Sequence, residues 1–121
     1  MDISTVVVCP VAVVCPPGEL DLHNADRLRG FCRDTIDAAG PRVVVDLSAT
    51  TFLDSTALGV FVGIHKHVKA RDGWLRLVTG DSRAVQKILE ITALDAILGS
   101  YPTVDDAITA ALGPHQDPQP A

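Results

Sequence analysis

From Val43 to Leu47 the chain reads Val-Val-Val-Asp-Leu, an almost unbroken apolar run with Asp46 as its one polar residue. A run that fails to alternate marks a strand covered on both faces, as in a largely parallel sheet packed with helices. Parallel neighbours require crossover connections, and the flanking segments have that character. Thr5 to Cys9 and Val11 to Cys15 are short β-rich runs separated by Pro10, and they predict two strands at a sheet edge. Asn24 is placed to cap a helix from Ala25 to Ala39, with Ala25, Leu28, Phe31, Cys32 and Ile36 at helical spacing and Gly40-Pro41 as its stop. A second helix runs from Ser55 to Ala70 and stops at Asp72-Gly73; a strand covers Leu75 to Thr79. Asp81 or Ser82 caps a third helix through Ile91, and a short strand is expected near Ala96 to Leu98. Thr103 to Asp106 has the form of a capping box before a last helix to Leu112. This order predicts an α/β fold: a mixed, mostly parallel sheet of about five strands with an N-terminal edge hairpin and about four helices.

The 121 residues suit one domain, expected over residues 1–112, with a disordered tail from 113 to 121. A hydrophobic share of 47% excludes a disordered chain, and a net charge of -5 lacks the basic stripe that direct contact with nucleic acid calls for. No apolar run reaches the roughly 18 residues of a membrane span. Asp2 stands where a secretory signal would carry basic charge, so the chain is expected to stay in the cytoplasm and off the membrane. Three cysteines, Cys9, Cys15 and Cys32, lack metal-site spacing and lie in apolar runs, as buried free thiols do. His65 and His67 are two apart and face different sides of a helix, so no metal or other cofactor is expected.

Loops at the carboxyl ends of strands hold functional groups in sheets of this type. Two are candidates here: Gly18-Glu19-Leu20-Asp21 and the segment from Ser48 to Asp54. The second leads into Asp54-Ser55-Thr56-Ala57-Leu58-Gly59. With Asp54 as N-cap, Leu53 and Leu58 take the two positions of a hydrophobic staple. With Ser55 as cap those positions fall on Asp54 and Gly59, which cannot pack together. Asp54 is therefore expected to cap, leaving Ser55 as the first helical residue with its hydroxyl free. Free N–H groups and a partial positive charge at a helix start favour a phosphate there.

Around this helix, Leu58, Phe61, Val62, Ile64, His65 and Val68 share the face expected to be buried. Ser55, Thr56, Gly59, Gly63, Lys66 and Ala70 lie opposite. Each exposed glycine costs a helix about 1 kcal/mol relative to alanine. Gly59 and Gly63 thus serve either close packing against a neighbouring helix or a partner that approaches the backbone beside Ser55.

Four segments together carry a family likeness: Gly18 to Asp21, Val44 to Ser48, Phe52 to Gly59, and Ile88-Leu89-Glu90-Ile91-Thr92-Ala93-Leu94-Asp95. They resemble the bacterial STAS domain, and more narrowly the anti-sigma factor antagonists. The likeness spans Thr5 to Leu112. It implies a partner anti-sigma factor that is an ATP-dependent serine kinase, phosphorylation at Ser55, and a phosphoserine phosphatase that resets the switch. Unphosphorylated, such a protein binds its partner and frees a sigma factor; phosphorylated, it lets the partner go. Asp21 and Asp54 match the family's acidic positions, and with Ser55, Thr56, Gly59 and Gly63 they make up the expected partner surface. Ala57 stands where the family usually has glycine, and its methyl is expected near the path of an approaching kinase.

Two other readings compete. An accessory STAS subunit of a lipid transporter or stressosome-like assembly would use the same fold without a phosphorylation cycle. A small enzyme would use Ser55 or a cysteine as nucleophile. Against it, the chain has no Gly-x-Ser-x-Gly elbow and no glycine-rich phosphate loop. A regulatory protein rather than an enzyme is expected.

Overall fold

The computed structural model describes residues 4–8, 11–16, 18–93 and 98–112. In chain order the elements are β1 (Ser4–Val8), β2 (Val11–Cys15), β3 (Gly18–Leu20), α1 (Ala25–Ala39), β4 (Arg42–Asp46), β5 (Thr50–Leu53), α2 (Ser55–Lys69), β6 (Trp74–Val78), α3 (Arg83–Ile91), β7 (Ser100–Tyr101) and α4 (Val104–Leu112). The main sheet has the order β1-β2-β4-β6-β7, with β1 antiparallel to β2 and every other pair parallel.

The valine run forms β4 at the centre of this sheet, where Val43 aligns with Ala12 on one side and Leu75 on the other. Successive residues of a strand point to opposite faces. Val43 and Val45 enter a core built with Leu28, Phe61 and Leu89 of α1, α2 and α3, whereas Val44 packs with Val13, Val78 and Ala107 of α4. All three valines are fully buried. Cover on both faces is what the missing alternation required.

Local chemistry sets the element ends. Gly40, at φ 104, closes α1 and returns its N–H to Ile36 O at 2.8 Å. Ser82 caps α3 by accepting from Val85 N–H at 3.3 Å, and Thr103 Oγ1 accepts from Asp106 N–H at 3.1 Å ahead of α4. Gly73 is required by close approach: a Cβ there would lie 2.0 Å from Pro41 O, which accepts from Trp74 N–H at the start of β6.

Several expectations shift. Residues 18–20 and 50–53, expected as loops, are the short strands β3 and β5, which pair parallel in a separate two-stranded sheet. The last described strand is Ser100–Tyr101, where Leu77 and Thr79 donate to Gly99 O and Tyr101 O; of the strand expected near 96–98, residues 96 and 97 lie outside the described residues. Asn24 holds the N-cap position of α1 without capping it. Its Oδ1 accepts from Asp21 N–H and its Nδ2 donates to Glu19 O, so the side chain is committed to the preceding loop. On α2 the covered face takes in Ala57 and Val60, while Val62 and His65 are half-buried, since the helix touches both α1 and the sheet. Cys9, residues 94–97 and the expected tail at 113–121 lie outside the described residues.

Candidate partner-binding site

Strands β3 and β5 bring the two candidate loops together. Glu19 aligns with Phe52 and Leu20 with Leu53, and both leucines are buried anchors. Gly18, at φ 70, donates its N–H to Ala49 O at 3.0 Å, and the buried Thr50 hydroxyl donates to Pro16 O at 2.8 Å. The turn into β5 is held by Asp46, whose Oδ1 accepts from both the N–H and the hydroxyl of Ser48. Asp21 leaves the end of β3 just where Asp54 leaves the end of β5, and Asp54 N–H donates to Leu20 O at 3.1 Å.

Asp54 is extended, at φ -110 and ψ -179, and its Oδ1 accepts from Ala57 N–H at 3.0 Å. It is the N-cap that the staple required, with Leu53 and Leu58 buried at 2% and 6% exposure. Its Oδ2 accepts from Leu22 N–H at 3.1 Å. Ser55 is the first residue of α2 and is exposed, as is Thr56, and neither side chain hydrogen-bonds within the described residues. Asp21 is partly exposed, and its Oδ1 accepts from His23 N–H at 2.9 Å.

Gly59 and Gly63 are exposed, and a Cβ built on either meets no atom within 4 Å. Packing among the described residues does not explain them. At 1.5 Å per residue they lie about 6 and 12 Å along the axis from Ser55, so Asp21, Asp54, Ser55 and Thr56 cluster while Gly63 stands apart. Ala57 corrects an expectation. It is fully buried in the main core, so its methyl is clear of any molecule approaching Ser55.

Large exposed apolar side chains were not anticipated: Leu22 at 69%, Phe52 at 48% and Ile91 at 72%. Leu22 adjoins Asp54 through its N–H, and Phe52 lies two residues before it on β5. On β5, Thr50 and Leu53 are buried while Thr51 and Phe52 between them are exposed, so no alternation announces Phe52 as a surface residue.

Elsewhere, burial pushes the Cys32 thiol up to about 12, and the half-buried Cys15 thiol lies 4.0 Å from Asp46 Oδ2. His65 titrates below its ordinary value through burial and then Lys69. His67 is lowered by burial and then by Arg71 and Arg33, against Asp37. Among the described residues no three His, Cys, Asp or Glu side chains group as metal ligands, and no helix is long and apolar enough to cross a membrane.

Among the described residues, a mixed sheet carries three helices on one face and one on the other, and a serine stands at a capped helix start beside the β3–β5 pair, which defines an α/β domain. The STAS domain family model matches residues 2–107, and the chain belongs to this family. A Thermotoga neapolitana protein named among the anti-sigma factor antagonists is 32% identical over 108 residues, covering 88% of this chain and 95% of the relative. The anti-sigma-B factor antagonist of Bacillus subtilis is 35% identical over 81 residues, 67% of this chain and 72% of its own. The crystal structure of an anti-sigma factor antagonist from Mycobacterium paratuberculosis superposes with a TM-score of 0.81 at 29% identity, covering 90% of this chain and 92% of the other.

Proposed function

We propose that this protein is an anti-sigma factor antagonist switched by phosphorylation at Ser55. Unmodified, it docks on an anti-sigma factor that is also a serine kinase, and so frees a sigma factor. Phosphorylation ends the complex, and a phosphoserine phosphatase restores the docking form. The chain is ligand and phosphoryl acceptor; the partner supplies ATP and the catalytic groups. On this reading it works in the cytoplasm. Its docking face comprises Asp21, Asp54, Ser55, Thr56, Gly59 and Gly63, with Leu22 and Phe52 as apolar margins.

The observation that carries the proposal is the exposed Ser55, whose hydroxyl has no hydrogen-bond partner among the described residues while Asp54 caps α2. Transfer breaks the terminal phosphoanhydride bond of ATP and the Oγ–H bond, forms an Oγ–P bond, and releases ADP, the proton passing to a base of the partner. The phosphate brings about two negative charges and three strong acceptors next to the Asp54 carboxylate. The positive end of the α2 dipole offsets part of that charge, so the modified domain stays folded. Across an interface, juxtaposed like charges cost several kcal/mol, and about 3 kcal/mol is roughly a hundredfold in affinity. The buried Ala57 methyl leaves the approach to Ser55 open.

Calorimetric titration of the cognate anti-sigma factor with Ser55→Ala and Ser55→Glu proteins tests the proposal. The alanine variant is expected to bind like the unmodified protein, and the glutamate variant about tenfold or more weakly. Equal affinity overturns charge-controlled release.

A further inference from the structure

We infer that Asp54 is a positioning residue that locks the turn at residues 21–24 onto the start of α2, so that Asp21 and Ser55 meet a partner as one preformed surface. Its functional use rests on the docking reading above; its geometry does not. Both carboxylate oxygens are committed inside the molecule, Oδ1 to Ala57 N–H at 3.0 Å and Oδ2 to Leu22 N–H at 3.1 Å. The main chain is committed too: Asp54 N–H donates to Leu20 O, and Asp54 O accepts from Leu58 N–H. One residue therefore joins the turn after β3, the end of β5 and the first turn of α2.

The turn is flanked by buried Leu20 and Ala25, and α1 packs on α2, but residues 21–24 themselves are held mostly by local bonds. Its other hydrogen bonds are local, from Asp21 N–H to Asn24 Oδ1, from His23 N–H to Asp21 Oδ1, from Asn24 N–H to Asp21 O and from Asn24 Nδ2 to Glu19 O. Leu22 is exposed and contributes no buried anchor. Among the described residues, the bond from Leu22 N–H to Asp54 is the one hydrogen bond linking residues 21–24 to the α2 cap. An ionised carboxylate suits this because it offers two acceptor oxygens and no donor. An asparagine would turn its amide N–H against Leu22 N–H, and a serine hydroxyl caps a helix without a second oxygen to span the gap. A surface ordered before docking avoids the cost of ordering it on contact.

The test separates cap from tether. Asp54→Ser keeps a cap oxygen for Ala57 N–H and drops the tether; Asp54→Ala drops both. Residue-resolved amide exchange on the isolated chain compares Leu22 with Leu58, alongside the unfolding midpoint. The expected result is Leu22 exchange faster by about tenfold or more in Asp54→Ser, with Leu58 exchange and the midpoint close to unmodified. Leu22 exchange that is unchanged, or that rises only where the whole domain is destabilised as in Asp54→Ala, overturns the tether. No partner enters this measurement, so its failure leaves the proposed function standing. With the anti-sigma factor present, Asp54→Ser is expected to bind about tenfold or more weakly at an unchanged midpoint. Full affinity despite a lost tether overturns the positioning role. Absence of binding by the unmodified protein rejects the docking reading instead and leaves the tether to the exchange data.

Discussion

Replacing Gly59 and Gly63 by alanine should make this protein more stable. Both lie on the exposed side of α2, and a methyl built on either meets no atom within 4 Å, so no steric penalty opposes the change. Alanine is favoured over glycine in a helix interior by about 1 kcal/mol per position. Part of that gain comes from narrowing the unfolded ensemble, which these positions share with any other. The pair therefore amounts to about 2 kcal/mol, and at roughly 4 °C per kcal/mol for a domain near this size the midpoint rises by roughly 8 °C. Thermal unfolding followed by far-ultraviolet circular dichroism reads the midpoint, and urea titration gives the free energy. A rise means that the two glycines cost the fold about 2 kcal/mol for a purpose other than packing. A fall in midpoint would refute the reasoning, since it requires the open positions to be occupied in the folded protein. Gly59→Leu extends the comparison. It should leave the fold intact and weaken the anti-sigma factor complex, and an unfolded Gly59→Leu protein would make Gly59 a packing feature.

Stability should fall as the pH drops below 6.5, the ordinary histidine value from which His65 and His67 are both lowered, chiefly by burial. The folded state takes up these protons less readily than the unfolded chain, so their contribution is complete above the unfolded value and is lost as the pH falls through the folded ones. Urea titrations at about pH 7.5 and about pH 5.5 should show a shallower pH slope in a His65→Gln, His67→Gln protein, and equal slopes contradict the assignment. Gly73→Ala should destabilise the domain by about 1–3 kcal/mol or more, because its methyl would collide with the Pro41 carbonyl; an unchanged urea midpoint would show that the β4–β6 entry yields freely. Cys32, buried with its thiol pushed up to about 12, should resist iodoacetamide until the protein is unfolded, and peptide mapping of native alkylation checks this.

The alternation of strands and helices was legible because each long element carries its own period. β4 lacks alternation since it is covered twice, and α1 repeats Leu28, Cys32 and Ile36 on its inner side. The Asp54 cap was legible from a negative argument, that the only other register puts Asp54 opposite Gly59. The strands β3 and β5 were not, because elements of three and four residues offer one buried leucine each at their ends and no period to read. What makes them strands is each other, across some thirty intervening residues, and Pro16 with Gly18 reads locally as a breaker. The tether from Asp54 to Leu22 N–H was hidden for the same reason. Ala57 is different: it precedes Phe61 by four and Ile64 by seven, so the helical period already placed it inward. The family comparison with glycine drew the expectation the wrong way.

Affinity capture of the tagged protein from its native cell, with mass spectrometry of the captured partner and of the peptide containing Ser55, tests the switch most directly. The account predicts an anti-sigma factor held by the unmodified form, and a free form carrying phosphate on Ser55. A phosphate confined to another residue, or a Ser55-phosphorylated form that stays bound to the partner as firmly as the unmodified one, would contradict it.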